Sequence, residues 1–329
     1  MISREEFFER VGFETRLSEE CYRYLYEKET SGIQIRGPAR TCIRFLRMCR
    51  EEGYPLDYAS KEAVERWNER TPNETPNNHY HRATAIRRFM KYLSTNGVEA
   101  YVDEDIRLGA STFSPYIFTR EEISRIFDAA DHLPYSPISP GRVPVIRLLI
   151  RALYGCGLRL SEALGLNMKD VDLVEGTLYI YHGKFGKDRI TPISDSVKLR
   201  FDEYIRENCA SRNADAPLFL TPQGTRYATG SIYYSWRQVL FLAGISHGGR
   251  GHGPRIHDLR HTFAVHRLQQ WVESGSDLEV ILPYLSAYMG HVGIASTQAY
   301  LHLRPELFPQ ITQAFEEKFN VFPEVSANL

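Results

Sequence analysis

Apolar positions recur at helical spacing through the first hundred residues. Residues 17–29, about 38–52, about 60–70 and about 76–96 each carry such a stripe between Gly, Pro, Asn or Ser breaks, which predicts four helices. In the second, Cys42, Ile43 and Leu46 supply core, while Arg36, Arg40, Arg44 and Arg47 share one face, because steps of three and four align on a helix. In the fourth, Ile86, Phe89, Met90 and Leu93 turn inward, and Arg87, Arg88 and Lys91, with His81, form a second cationic face. Residues 97–117 break the pattern with Gly97, an acidic cluster, Gly109 and Ala110-Ser111-Thr112-Phe113-Ser114-Pro115, the composition of a linker.

Periodicity resumes at Thr119-Arg120-Glu121-Glu122, a capping-box pattern followed by the stripe Ile123, Ile126 and Phe127. Val145–Tyr154 is apolar enough for a buried helix, Gly155 and Gly157 end it, and another starts near Leu160. Over 177–193 the period changes. Leu178–Tyr181 is β-prone, Gly183–Lys187 reads as a turn and Arg189–Ile193 as the return strand. Gly-rich 247–254 reads as a flexible loop, and Leu307, Ile311, Phe315 and Phe319 repeat every four residues as an amphipathic tail helix. The pattern therefore predicts a mainly α protein with a small β-hairpin or sheet (α+β). It divides into a helical domain over 1–110, a linker at about 97–117, and a second domain over 117–329 that carries the tail helix.

A chain of 329 residues, 43% hydrophobic and 25% charged, has the composition of an ordinary globular protein with room for two cores. No apolar run approaches a membrane span and the N-terminus has no signal-peptide pattern, so a cytoplasmic setting is expected. Cys21, Cys42, Cys49, Cys156 and Cys209 are scattered and odd in number, which suits reduced, buried thiols. The net charge of −1 argues mildly against a nucleic-acid partner, but the distribution weakens the objection. Between Ser31 and Arg50 there are five arginines and no acid, and from Ala216 to His257 no acid stands beside Arg226, Arg237, Arg250 and Arg255. Segregated charge can hold a polyanion at near-zero total.

The candidate chemistry lies in the second domain. Tyr300 follows Gly290-His291, which follows His257-Asp258-Leu259-Arg260; earlier stand Arg159, in Gly155-Cys156-Gly157-Leu158-Arg159-Leu160-Ser161-Glu162, and Lys184, after Gly183. Guanidinium stays charged and offers a planar fork to two phosphate oxygens. Imidazole titrates near working pH, which makes His257 and His291 candidates for base, acid or phosphate donor. A tyrosine hydroxyl, with a pKa near 10, needs neighbouring cations or a base to become a nucleophile. Glu162 lies one helical turn beyond Arg159, placed to orient it or simply to pair with it at the surface. Tyr288 lies before the Gly-His pair where Tyr300 lies after it, and Lys187 is the rival of Lys184. His252, His261, His266 and His302 are assigned no role. His257 and His261 share the spacing of a zinc helix, but Asp258 stands where the metalloprotease pattern requires Glu and no third ligand is evident, so no metal or other cofactor is expected.

The ordered set Arg159, Lys184, His257, Arg260, His291 and Tyr300 resembles the tyrosine recombinase, or phage integrase, family over roughly residues 115–305, with a weaker helical resemblance before it. The resemblance implies a SAM-like core-binding domain that grips double-stranded DNA opposite a catalytic domain. In it Tyr300 attacks a phosphate held by Arg159, Arg260, His257 and His291, and Lys184 protonates the leaving 5′ oxygen. A 3′-phosphotyrosyl intermediate forms, and neither ATP nor metal is used. It also implies self-association into a synaptic tetramer on DNA, with the tail helix either docked on a neighbouring protomer or packed on its own domain, and leaves accessory proteins open. The segment from Arg260 to His291 is several residues longer than in Xer-type members, as is often so in transposon-encoded integrases. A type IB topoisomerase would use the same residues, a non-catalytic DNA-binding regulator would share the fold, and a zinc hydrolase is a distant third.

Overall fold

The computed structural model describes residues 3–104, 114–181, 183, 187–249, 253–291 and 293–302. The chain separates into two compact units, residues 1–113 and 114–329. Lys184, the tail helix, residues 105–113 of the linker and residues 250–252 of the Gly-rich loop lie outside the described residues.

The first unit holds α1 (Arg4–Val11), α2 (Arg16–Thr30), α3 (Arg36–Glu51), α4 (Lys61–Asn68) and α5 (Pro76–Thr95). The sequence pattern predicted the last four of these. α1 is two turns long, too short for periodicity to register; Ser3 caps it by accepting from the Glu6 N–H, and Gly12 ends it in a left-handed conformation. Thr15, Ser60 and Thr75 cap α2, α4 and α5 in the same way. The apolar faces meet in one core around Phe7, Leu25, Phe45, Leu46, Phe89 and Leu93.

The second unit is built around α7 (Arg142–Gly155), which packs against α6 (Arg120–Asp131), α9 (Asp195–Asn208) and α11 (Asp258–Glu273). The Thr119–Glu122 capping box forms as the sequence indicates. α8 (Leu160–Gly165) follows the Gly155–Gly157 break, and α10 (Thr229–Leu242), α12 (Leu278–Met289), α13 (Ala295–Gln298) and 3₁₀ turns at Met168–Asp170 and Ala299–His302 complete the described helices. The sheet has three antiparallel strands rather than two: β1 (Val171–Asp172), β2 (Thr177–Ile180) and β3 (Arg189–Pro192). β1 is two residues long and shows no alternation that a pattern could detect. Ile180 pairs with Arg189 at the end of the hairpin next to the connecting turn, a register that brings Arg189 beside α8. Among the described residues no helix is long and apolar enough to cross a membrane.

Candidate active site

Glu162 organises the site. It lies in the first turn of α8, and its side chain is only 4% exposed. One carboxylate oxygen accepts from the Arg159 guanidinium at 2.6 Å and from Arg189 Nη1 at 3.0 Å. The other accepts from the Arg159 backbone N–H at 2.9 Å and from Arg189 Nη2 at 2.8 Å, and Arg260 Nη1 stands 3.9 Å from it. Burial alone would raise this carboxyl, but the hydrogen bonds from Arg189 and from the Arg159 backbone, with the surrounding positive charge, hold it down at about 2. Glu162 is therefore a buried anion that fixes guanidiniums from three segments, not a surface partner of Arg159.

The guanidiniums are fixed from the far side by backbone carbonyls. Arg159 Nη2 donates to Gly290 O at 3.1 Å, Arg189 Nε to Tyr288 O at 3.0 Å, and Arg260 Nη2 to Met289 O at 2.6 Å. These are the last carbonyls of α12 and its cap, where the helix dipole favours cations. Arg260 also donates to Gly157 O and is 2% exposed. Two glycines permit this approach. Gly290 closes α12 at φ +64°, and a Cβ there would meet Arg189 Nη1 at 3.0 Å. Gly157 stands at φ +58°, and a Cβ would meet the Phe263 ring at 2.5 Å.

The titratable groups converge on the same place. His257 caps α11 and His261 lies one turn on; their rings meet edge to face at 5.0 Å. The Tyr300 hydroxyl lies 3.1 Å from His261 Nδ1. The His291 ring stacks on the Tyr300 ring at 6.0 Å between centroids, and His291 Nδ1 is bound to Thr297 Oγ1 at 2.8 Å. Burial first, and the neighbouring guanidiniums second, pull His257 and His291 down to about 4. Burial and then His257 do the same to His261, and burial with Arg159 pulls Arg260 down to about 10. Burial raises the Tyr300 phenol while Arg260 and Arg159 pull it back. At neutral pH the site thus holds neutral imidazoles, a neutral phenol and fixed guanidiniums, an arrangement suited to accepting an anion and moving a proton.

The structure separates the two tyrosines. Tyr288 donates its hydroxyl to Pro192 O at 2.9 Å, burial pushes its phenol far up, and its ring stacks on Phe263. Tyr300 alone of the pair faces the arginines and histidines. Among the described residues no group of three or more His, Cys, Asp or Glu is placed to hold a metal ion. A cavity of about 400 Å³ lined by Arg120, Arg151, Tyr154, Arg200, His266 and Arg267 contains none of the cluster's residues.

Residues 117–306 match the phage integrase family. An integrase/recombinase of Sinorhizobium fredii, y4rB, is 30% identical over 90% of this chain and 96% of its own length. The chain belongs to the phage integrase family. A tyrosine recombinase XerC of Pelobacter propionicus is 35% identical over 67% of this chain and 70% of its own. The fold is that of solved tyrosine recombinases: XerH bound to a palindromic difH substrate aligns with TM-score 0.60 at 20% identity, over 84% of this chain and 78% of that one. The Tn1549 transposon integrase in complex with a circular intermediate DNA aligns with TM-score 0.59 at 17% identity, over 85% of this chain and 94% of that one.

Of the recombinase set expected from the sequence, Arg159, His257, Arg260, His291 and Tyr300 come together, with Glu162 beneath the arginines. In the first unit Arg36, Arg40, Arg44 and Arg47 are exposed along α3; Arg44 lies over the Trp67 ring at 5.9 Å and Arg47 donates to Arg10 O. Arg88 and Lys91 are exposed on α5, but Arg87 is half-buried and donates to Asp103 O at 2.7 Å. The sequence pattern does not distinguish Arg87 from Arg88. It also missed Arg189 and His261. On β3 the alternation places Arg189 with buried Thr191 on the inner face and leaves Ile190 56% exposed, the reverse of what hydrophobicity suggests.

Proposed function

We propose that this protein is a site-specific DNA recombinase that cuts and rejoins duplex DNA by transesterification through a 3′-phosphotyrosyl intermediate on Tyr300. The observation that carries the proposal is the Tyr300 hydroxyl set among His261, Arg260 and Arg159, whose guanidiniums Glu162 and the α12 carbonyls already hold in place. Arg159 and Arg260 bind the scissile phosphate and stabilise the charge that builds on it; one preorganised donor of this kind contributes about 10²–10³ in rate. His257 and His291 complete the phosphate cradle, and Lys184 protonates the leaving 5′ oxygen. A partner strand's 5′ hydroxyl then reverses the step. One phosphodiester replaces another, so no ATP is consumed, and side-chain cations do the neutralising that a divalent metal does elsewhere.

In this reading Arg36, Arg40, Arg44 and Arg47, with Arg88 and Lys91, grip the DNA backbone, Arg87 supports the α5 end of that face, and four protomers assemble on two sites in the cytoplasm. The test is covalent trapping on a randomised, nicked duplex library without magnesium or ATP, followed by strand transfer on the recovered site. Wild type should form an SDS-resistant adduct that Tyr300→Phe abolishes, and should join the cut strand to a partner. An adduct that only reseals its own duplex would indicate a topoisomerase. Tight, salt-sensitive binding without an adduct would indicate a regulator.

A further inference from the structure

We propose that His261, rather than His257 or His291, is the base that takes the proton from Tyr300. The inference rests on the recombinase reading and assigns a catalytic residue within it. Among the described imidazoles, His261 is the one with a ring nitrogen at hydrogen-bonding distance from the nucleophile, Nδ1 at 3.1 Å from the hydroxyl. His291 offers Tyr300 a ring face, which cannot accept the phenolic proton, and its Nδ1 is occupied by Thr297 Oγ1. His257 meets the His261 ring edge to face, and among the described residues it makes no hydrogen bond to the Tyr300 hydroxyl. With its proton on Nε2, His261 leaves Nδ1 free to accept from the Tyr300 O–H.

The surroundings suit a base that is neutral before the reaction and charged only during it. Arg255, His257, Asp258 and Arg260 face His261 from α11 and the turn before it, Tyr300 from the 3₁₀ turn, and His291 from beyond α12. Buried Asp258 accepts from the Arg255 backbone at 2.8 Å and is the carboxylate that favours the imidazolium when it forms. In cleavage Tyr300 Oη bonds to phosphorus, its proton passes to His261 Nδ1, and the bond from phosphorus to the 5′ oxygen breaks. That oxygen takes a proton from the separate acid assigned to Lys184. In rejoining, the attacking 5′ hydroxyl returns its proton to that acid, and His261 returns its own to the departing Tyr300 oxygen. Atoms and charge balance in both directions.

The test is single-turnover adduct formation by the full chain across pH, with His261→Asn beside wild type. Asn keeps a neutral acceptor near Nδ1 but is no base. The rate should fall about 10²–10⁴-fold at neutral pH and then rise about tenfold per pH unit as hydroxide substitutes for imidazole, while wild type stays nearly flat. A substrate with sulfur in place of the bridging 5′ oxygen, whose leaving thiolate needs no proton, should rescue Lys184→Ala and fail to rescue His261→Asn. A separate check reads the hydrogen bond without DNA: in isotope-labelled histidine spectra, Tyr300→Phe should shift the Nδ1 signal of His261 and leave that of His266, bonded to Tyr154 at 2.9 Å, unmoved. A wild-type rate in His261→Asn, a loss equal at every pH, or rescue by sulfur would overturn the assignment. Absence of any adduct from wild type, or an adduct from Tyr300→Phe, would instead remove the recombinase reading beneath it.

Discussion

The arginines of α3 and those around Glu162 are the same side chain in two physical situations. On α3 the guanidiniums of Arg36, Arg40, Arg44 and Arg47 stand exposed in a row, screened by solvent and open to a polyanion. Around Glu162 the side chains are 2–17% exposed, and each is tied to a carboxylate and to a named carbonyl before any ligand arrives. The first arrangement gives affinity that salt removes; the second gives a rigid field aimed at one place, which is what transition-state stabilisation requires. Sequence spacing displays both as basic residues. Burial and partners tell them apart.

The comparison predicts opposite responses to substitution. The largest effect is expected at the shared anion: Glu162→Gln leaves buried guanidiniums uncompensated and should cost about 3–5 kcal/mol of unfolding free energy, measured in urea. A loss under about 1 kcal/mol would place Glu162 among surface pairs. Next, Arg260→Lys keeps the charge but loses the planar fork, and should lower single-turnover cleavage about 10²-fold with DNA affinity nearly unchanged. A fall in affinity instead would make Arg260 a gripping residue like those of α3.

Acid should destabilise the buried site in a definite order. His257, His261 and His291 have folded values near 4 against an unfolded 6.5, so below about 6.5 the unfolded chain binds protons that the folded chain does not, and stability falls from there down to about 4. Glu162 has the depressed value of about 2 against 4.5, so its contribution is full above 4.5 and is lost as pH falls through 2. The urea midpoint should therefore be lower at pH 5 than at pH 7, by less in a variant with all three histidines changed to Gln; an equal drop would place the titrating groups elsewhere. On α3, Arg36→Ala with Arg40→Ala should reduce the slope of log affinity against log salt by about 2 and leave cleavage at saturating DNA intact. The smallest contrast lies within α5. Arg88→Ala should remove about one unit of that slope, and Arg87→Ala should instead cost about 1 kcal/mol of stability, because its partner is the Asp103 carbonyl. If the two behaved alike, exposure would not be what divides them.

Much of the layout is visible in the residues because local physics produces it. Helix period, the Thr119 cap and the four-residue steps of α3 are short-range features, and the order of Arg159, His257, Arg260, His291 and Tyr300 survives in a linear string. The long-range closures are what spacing could not show. Glu162 reads as a one-turn partner of Arg159, yet its buried state depends on Arg189, 27 residues away on a strand whose most apolar residue points outward. His261 reads as half of a failed zinc pair until the chain brings Tyr300 back across 39 residues. α1 and β1 were too short to carry a period at all.

The most direct test of the central claim is to digest the trapped protein–DNA adduct and identify the modified peptide by mass spectrometry. The account predicts a nucleotide phosphate on Tyr300 and on no other tyrosine; attachment to Tyr288, or to a serine, would contradict it.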